Sequence, residues 1–213
     1  MNFYKTISKN IHTEIEPIKK SRFIAYAFHI ENEQEALYSI ATIKEEYSDA
    51  NHHCWAYTLI KDNKFRFSDD GEPSGSAGKP ILSHIQGNGL LNILVVVVRY
   101  FGGTKLGVGG LIRAYGHAAK EVLESASIIA VEPNCSIQVI HRYNETANID
   151  IVLKHFNANI LSQEYSEMVQ LVVEISASDK LSFLEELKSV TKGRVEFKVF
   201  EKDSFVIQLC DYE

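Results

Sequence analysis

NILVVVVRYFGGTKLGVGGLIRAY, residues 92–115, decides how this chain is read. Ile93 to Val98 is an unbroken apolar run rich in β-branched residues, which suits a strand buried on both faces. The run ends in Arg99-Tyr100-Phe101 and gives way to a loop holding Gly102, Gly103, Gly107, Gly109 and Gly110. Beyond it Val108, Leu111, Ile112, Tyr115, Ala119, Val122 and Leu123 recur at helical spacing, so a helix follows. Core strand, glycine-rich basic loop and helix N-terminus, in that order, make a natural anion seat. Free N–H groups and the helix dipole both favour negative charge there. Arg99, Lys105 and Arg113 add cationic charge nearby in sequence. The competing explanation is that the glycines only permit positive φ and close packing of helix on strand. The loop is not a Walker loop, since no GxxxxGK[ST] occurs, and Ile112 stands where a dinucleotide fingerprint has its third glycine.

Upstream of this stretch, residues 3–28 read as β structure, with Phe23, Ala25 and Ala27 alternating against Ile24, Tyr26 and Phe28. Residues 33–47 carry Ala36, Leu37, Ile40, Ile43 and Tyr47 at helical spacing. Residues 52–60 read as a strand, Asp62-Asn63 as a turn, and 64–67 as the returning arm of a hairpin. Residues 68–79 are too rich in Asp, Gly, Ser and Pro for a regular element, and 80–85 begin a short helix with proline in its first turn. Downstream, 127–131 give one more strand, and the pattern restarts after Glu132-Pro133-Asn134. There follow a strand at 135–141, a helix at 143–156, strands at 158–165 and 168–175, a helix capped by Asp179 and ended by Gly193, and a strand at 195–200 that 205–209 extend. That β-α-β-β-α-β order is the ferredoxin-like split βαβ. The expected fold class is α+β in two domains: 1–134, a β-sheet with helices, and 135–213, ferredoxin-like.

The 213 residues are 45% hydrophobic and 23% charged, as in an ordinary globular protein. No apolar run approaches the ~20 residues that span a bilayer, and MNFYKTISKN lacks a hydrophobic signal core. Cys54, Cys135 and Cys210 are far apart, with no CxxC, which fits reduced thiols; a cytoplasmic location and no membrane partner are expected. The net charge of −6 excludes a general nucleic-acid coat protein. Residues 1–134 hold 14 Lys and Arg against 15 Asp and Glu, and 135–213 hold 8 against 13, so any polyanion site is a local patch in the first part.

A second loop of interest is SDDGEPSGSAGK at 68–79, with Asp69, Asp70, Glu72, Ser74, Ser76 and Lys79 as candidate site residues. Three carboxylates in four positions suit oxygen ligation of a divalent metal, proton transfer, or capture of loop N–H groups. The spacing is not that of an EF-hand, and no metal or other cofactor is assigned. A loop this long and glycine-rich is more often functional than connective. In His52-His53-Cys54, the first and third residues share a strand face, yet no second ligand pair at zinc spacing follows. A Cys54 nucleophile with a histidine base competes with the commoner buried structural thiol. Ser74 and Ser76 lack a G-x-S-x-G context.

HHCWAY at 52–57, SDDGEPSGSAGKPI at 68–81 and VVRYFGGTKLGVGGLIRAY at 97–115 together closely resemble the IMPACT/YigZ family, over roughly residues 18–125. The second domain resembles the small C-terminal domain of bacterial members. The resemblance implies a first domain similar to domain IV of elongation factor G, with helices on one side of a β-sheet. It implies a second domain similar to the ferredoxin-like domain V of that factor. Eukaryotic relatives are regulators of translation that act through protein contacts. Their partner-binding domain is not evident here, and the older peptidase labels find no nucleophile–base or two-metal pattern.

Three functional readings follow. The first is a non-enzymatic, translation-linked binding protein that contacts RNA or the ribosome through Arg99, Lys105, Arg113 and the glycine loop, with residues 69–79 alongside. The second is an enzyme acting on a phosphorylated small molecule, which gains if both glycine-rich loops converge in one cleft. The third is a protein-interaction module whose protein partner docks on the acidic second domain.

Overall fold

The computed structural model describes residues 3–201 and 204–208 and divides into two units, Tyr4–Val131 and one that begins at Glu132. The first unit opens with strands β1 (Tyr4–Ile7), β2 (Ile11–Ile18) and β3 (Ser21–His29), then α1 (Glu33–Glu46). Next come β4 (His52–Thr58), a 3-10 turn at Lys61–Asn63, β5 (Phe65–Ser68) and α2 (Gly78–Gly87). It closes with β6 (Ile93–Tyr100), α3 (Val108–Glu124) and β7 (Ile128–Val131). Five strands form one sheet in the order β2-β3-β6-β4-β5, antiparallel at every step, while β1 and β7 pair as a separate ribbon.

The apolar run is the middle strand of that sheet, and its lack of alternation has a direct cause. Ile93, Val95 and Val97 pack with Ile81 and Ile85 of α2 and Leu111, Tyr115 and Val122 of α3. Leu94, Val96 and Val98 pack with Ala36, Ile40 and Ile43 of α1. Helices therefore cover both faces, where the family resemblance implied helices on one side. At the start of α1, Asn32 Oδ1 accepts from Glu35 N at 2.9 Å and the Glu35 carboxylate accepts from Glu31 N at 2.8 Å. This reciprocal capping fixes the start of the helix.

The second unit runs β8 (Asn134–His141), a 3-10 turn at Tyr143–Glu145, α4 (Thr146–His155), β9 (Asn159–Tyr165), β10 (Val169–Ser176), α5 (Lys180–Thr191), β11 (Glu196–Glu201) and β12 (Ser204–Gln208). Its sheet order is β12-β11-β8-β10-β9, so the four strands of the β-α-β-β-α-β pattern lie in the antiparallel ferredoxin-like arrangement. Here burial is one-sided and alternation returns: Ile137 and Val139 of β8 and Leu171 and Val173 of β10 meet Ile149, Val152, Phe183 and Leu187 from the helices. Asp179 stands at the cap position of α5, but its side chain makes no capping hydrogen bond; Phe183 N reaches its carbonyl instead. Residues 204–208 form a separate antiparallel strand on β11 rather than its extension, and Leu209 and Cys210 lie outside the described residues. No helix among the described residues is long and apolar enough to cross a membrane.

Candidate functional site

Arg99 is the residue whose placement differs most from its reading as a free cation. It continues the parity of Ile93, Val95 and Val97, so its side chain points under the α2–α3 layer, where the residue is 4% exposed. Its Nη1 donates to Glu72 Oε1 at 2.5 Å, and both side chains are about 5% exposed or less. The same oxygen accepts from the Tyr115 hydroxyl at 2.8 Å and lies 3.8 Å from His52 Nε2. Burial, ahead of the neighbouring Cys54 and Glu72, pushes the Tyr115 hydroxyl far above its ordinary range, so it stays protonated and donates. The guanidinium carbon lies 5.6 Å from the Phe23 ring centre and 5.5 Å from that of Phe101. Arg99 is therefore an internal strut, paired below and carrying an aromatic ring above.

Two side chains hold the main chain at the start of the glycine loop. Asn51 Oδ1 accepts from Phe101 N at 2.7 Å, and Ser21 Oγ accepts from Gly102 N at 3.1 Å. A Cβ on Gly102 would stand 2.0 Å from the Lys20 carbonyl carbon, so glycine is required there for close approach. Gly107, at φ 72°, turns the chain into α3, and no side chain caps that helix. Gly109 and Gly110 form its first turn, with Arg113 exposed beside Gly109. These placements are those of the competing explanation: Gly102 serves close packing, and Gly103 and Gly107 serve positive φ.

The three carboxylates of the acidic loop point apart. Asp69 Oδ1 accepts from Ala77 N at 2.9 Å and Gly78 N at 2.8 Å, while Oδ2 accepts from Gly75 N at 2.8 Å. Asp69 thus caps α2 from across the loop and starts that helix at Gly78, two residues before Pro80. Asp70 accepts from His53 N at 2.7 Å and pairs with Lys44 at 2.8 Å. Its pKa is lowered even though burial raises it, because Lys44 and the His53 N–H outweigh that burial. Glu72 alone turns inward. Among the described residues no group of His, Cys, Asp and Glu is placed to hold a metal ion. His52 and Cys54 do share a face, but Cys54 Sγ donates to Asp69 O at 3.0 Å and its pKa is pushed by burial to about 12, so it is no nucleophile.

The two loops meet at a cavity of about 430 Å³. Glu72 and Pro73 come from the first loop and Lys105, Leu106, Gly107 and Val108 from the second, with Asn51, His52, Arg99, Phe101 and Leu111 completing the wall. Of the residues proposed from sequence, Glu72, Arg99, Lys105 and Gly107 line it. Asp69, Asp70, Ser74, Ser76, Lys79, Gly102, Gly103, Gly109, Gly110 and Arg113 do not. Ser76 is fully buried with its Oγ unpartnered, while Ser74 and Lys79 are exposed. Sequence reading passed over Phe101, 44% exposed at the rim, and Lys19-Lys20, the two-residue turn between the paired Ile18 and Ser21. Both lysines sit at positive φ, 47° and 66°, where asparagine or glycine is usual, and each such residue stores roughly 1–2 kcal/mol. The signal was in the sequence: a Lys-Lys pair at a tight hairpin turn.

The Impact N-terminal domain family matches residues 19–123, which span both loops and the cavity, and a domain of unknown function (DUF1949) matches residues 140–194 of the second unit. An IMPACT family member of Haemophilus influenzae is 40% identical over 190 residues, covering 87% of this chain and 92% of that protein. YigZ of Escherichia coli is 34% identical over 193 residues, covering 89% and 95% respectively. A crystal structure titled as that of a hypothetical protein superposes with a TM-score of 0.74 at 31% identity, covering 95% of this chain and all of the other. This chain belongs to the IMPACT family.

Proposed function

We propose that the first unit is a translation-linked binding module for single-stranded RNA, in which the glycine loop and its cations receive phosphates and Phe101 receives a base. Phe101 carries the reading. Its ring is exposed, its main chain is held by Asn51, and Arg99 lies against the ring. An aromatic platform beside cations is how single strands are gripped without a groove-reading helix. Lys105 stands in the same loop, Arg113 on the first turns of α3, and the main chain of Lys20 packs against Gly102. The translation link comes from the family resemblance. Arg99 is reassigned from phosphate contact to support, since its charge is matched by Glu72.

The test is anisotropy of a labelled single-stranded RNA across a salt series, on the full chain. Phe101→Ala is expected to weaken binding by about 1–3 kcal/mol. Lys105→Ala/Arg113→Ala is expected to weaken it and to flatten the salt slope by about 1.4. RNA that fails to bind at low salt, or a slope the double variant leaves unchanged, overturns the reading.

A further inference from the structure

We infer that the cavity beside Phe101 is a pocket for one nucleotide, its phosphate at Lys105 and the start of α3 and its hydroxyl or amino donors on Glu72 and His52. The choice of ligand rests on the RNA reading; the pocket rests on its own geometry. The volume of about 430 Å³ falls in the ~300–1,000 Å³ range of small-ligand sites.

The floor holds both kinds of group: the Arg99 Nε is a buried donor without a partner among the described residues, and Glu72 is a buried carboxylate. Glu72 Oε1 takes the Arg99 and Tyr115 hydrogen bonds, while Oε2 takes none among the described residues, on a side chain 4% exposed. A carboxylate oxygen only accepts, so Oε2 suits a ligand donor. His52 Nδ1 donates to the Asp70 carbonyl at 2.8 Å, which leaves Nε2 turned to Glu72 Oε1 at 3.8 Å. His52 and Glu72 both line the cavity. The Glu72 carboxylate matches the Arg99 charge there, so the floor has no surplus positive charge to draw an anion.

The opposite end has the reverse character. Lys105 is exposed and in no ion pair among the described residues, and α3 starts after Gly107 without a side-chain cap. That end suits an anion. Leu106, Val108, Leu111 and Phe101 supply the apolar walls between the two ends. A ligand with a phosphate at one end, a flat or apolar middle and several O–H or N–H donors is a nucleotide.

Titration calorimetry on the full chain tests this with a nucleoside 5′-monophosphate, the matching nucleoside and inorganic phosphate, beside the RNA titration. The monophosphate is expected to bind, with nucleoside and phosphate each at least tenfold weaker. Glu72→Gln is expected to weaken the monophosphate at least tenfold. Because that change leaves Arg99 unpaired and can unfold the domain, Val108→Trp, at an exposed position on the cavity wall, is the second variant. It is expected to weaken the monophosphate by a similar factor. RNA binding with no monophosphate binding, phosphate as tight as the monophosphate, or full affinity in Val108→Trp each overturns the pocket. Monophosphate binding with no RNA binding upholds the pocket and removes the RNA reading.

Discussion

Replacing Arg99 with methionine removes one charge from a pair that water barely reaches, Glu72 being 4% and Arg99 5% exposed at the side chain. The remaining carboxylate keeps the Tyr115 hydroxyl and the neighbouring His52 but loses the Arg99 countercharge. Leaving one partner of such a pair costs about 3–5 kcal/mol. For a protein of this size that corresponds to a fall of roughly 6–20 °C in the melting midpoint of the first domain. Glu72→Gln, which strands the guanidinium between Phe23 and Phe101, is expected to cost a similar amount. The double variant Arg99→Met/Glu72→Gln strands neither charge, so it should be more stable than either single variant, which requires a coupling energy larger than either single effect, above about 3–5 kcal/mol. Urea and thermal unfolding followed by circular dichroism give all four corners of the cycle. If the two single effects simply sum to the double within about 0.5 kcal/mol, the pair is not acting as a buried unit and the support role of Arg99 fails.

Two further predictions concern stability away from that pair. Gly102→Ala forces a Cβ to 2.0 Å from the Lys20 backbone and should destabilise by about 3 kcal/mol or more, whereas Gly103→Ala meets no atom within 4 Å and should cost about 1 kcal/mol from its positive φ alone; equal losses in urea unfolding would refute the distinction. Glu33 accepts from Lys64, Tyr57 and Arg66, which hold its pKa down at about 2 against an ordinary 4.5. A carboxylate that titrates lower when folded contributes fully above pH 4.5 and loses that contribution as pH falls through about 2, so the acid-unfolding curve of Glu33→Gln should be flatter than wild type in that window. Superimposable acid curves would remove the network from any role in acid stability.

Most of the fold was legible because its cause is local. The apolar run, the helical spacing after it and the restart at residue 132 each rest on patterns within a few turns of chain. The two-sided cover of the sheet was legible only in part. A run without alternation says that both faces are buried, but not which helix takes which face. The site was harder to read, because proximity in sequence misleads inside a loop. Asp69, Asp70 and Glu72 read as a cluster, yet positive φ at Asp70 and Gly71 fans them toward α2, Lys44 and Arg99 respectively. Arg99 read as a loop cation because it borders the glycines. Its parity with Val95 and Val97 was the overlooked clue that it faces inward. Lys19-Lys20 escaped because nothing local ties a hairpin turn to a loop some eighty residues later; only the close approach at Gly102 does so.

The ribbon of β1 and β7 joins the two ends of the first unit, Tyr4 opposite Val131 and Ile7 opposite Ile128. No nascent chain can make this pairing until nearly the whole unit has been synthesised, so it is the last seam to close and carries the longest loop-closure cost in the domain. Once closed, it holds the entry and exit points of the unit side by side. A domain with adjacent ends can be lifted into another chain, or cut open elsewhere and rejoined there by a short linker, with little change to its interior. The Asn63 turn before β5 is a natural place to open such a permutant. The arrangement makes residues 4–131 a portable cassette, with the loops and their cavity carried intact wherever it is moved.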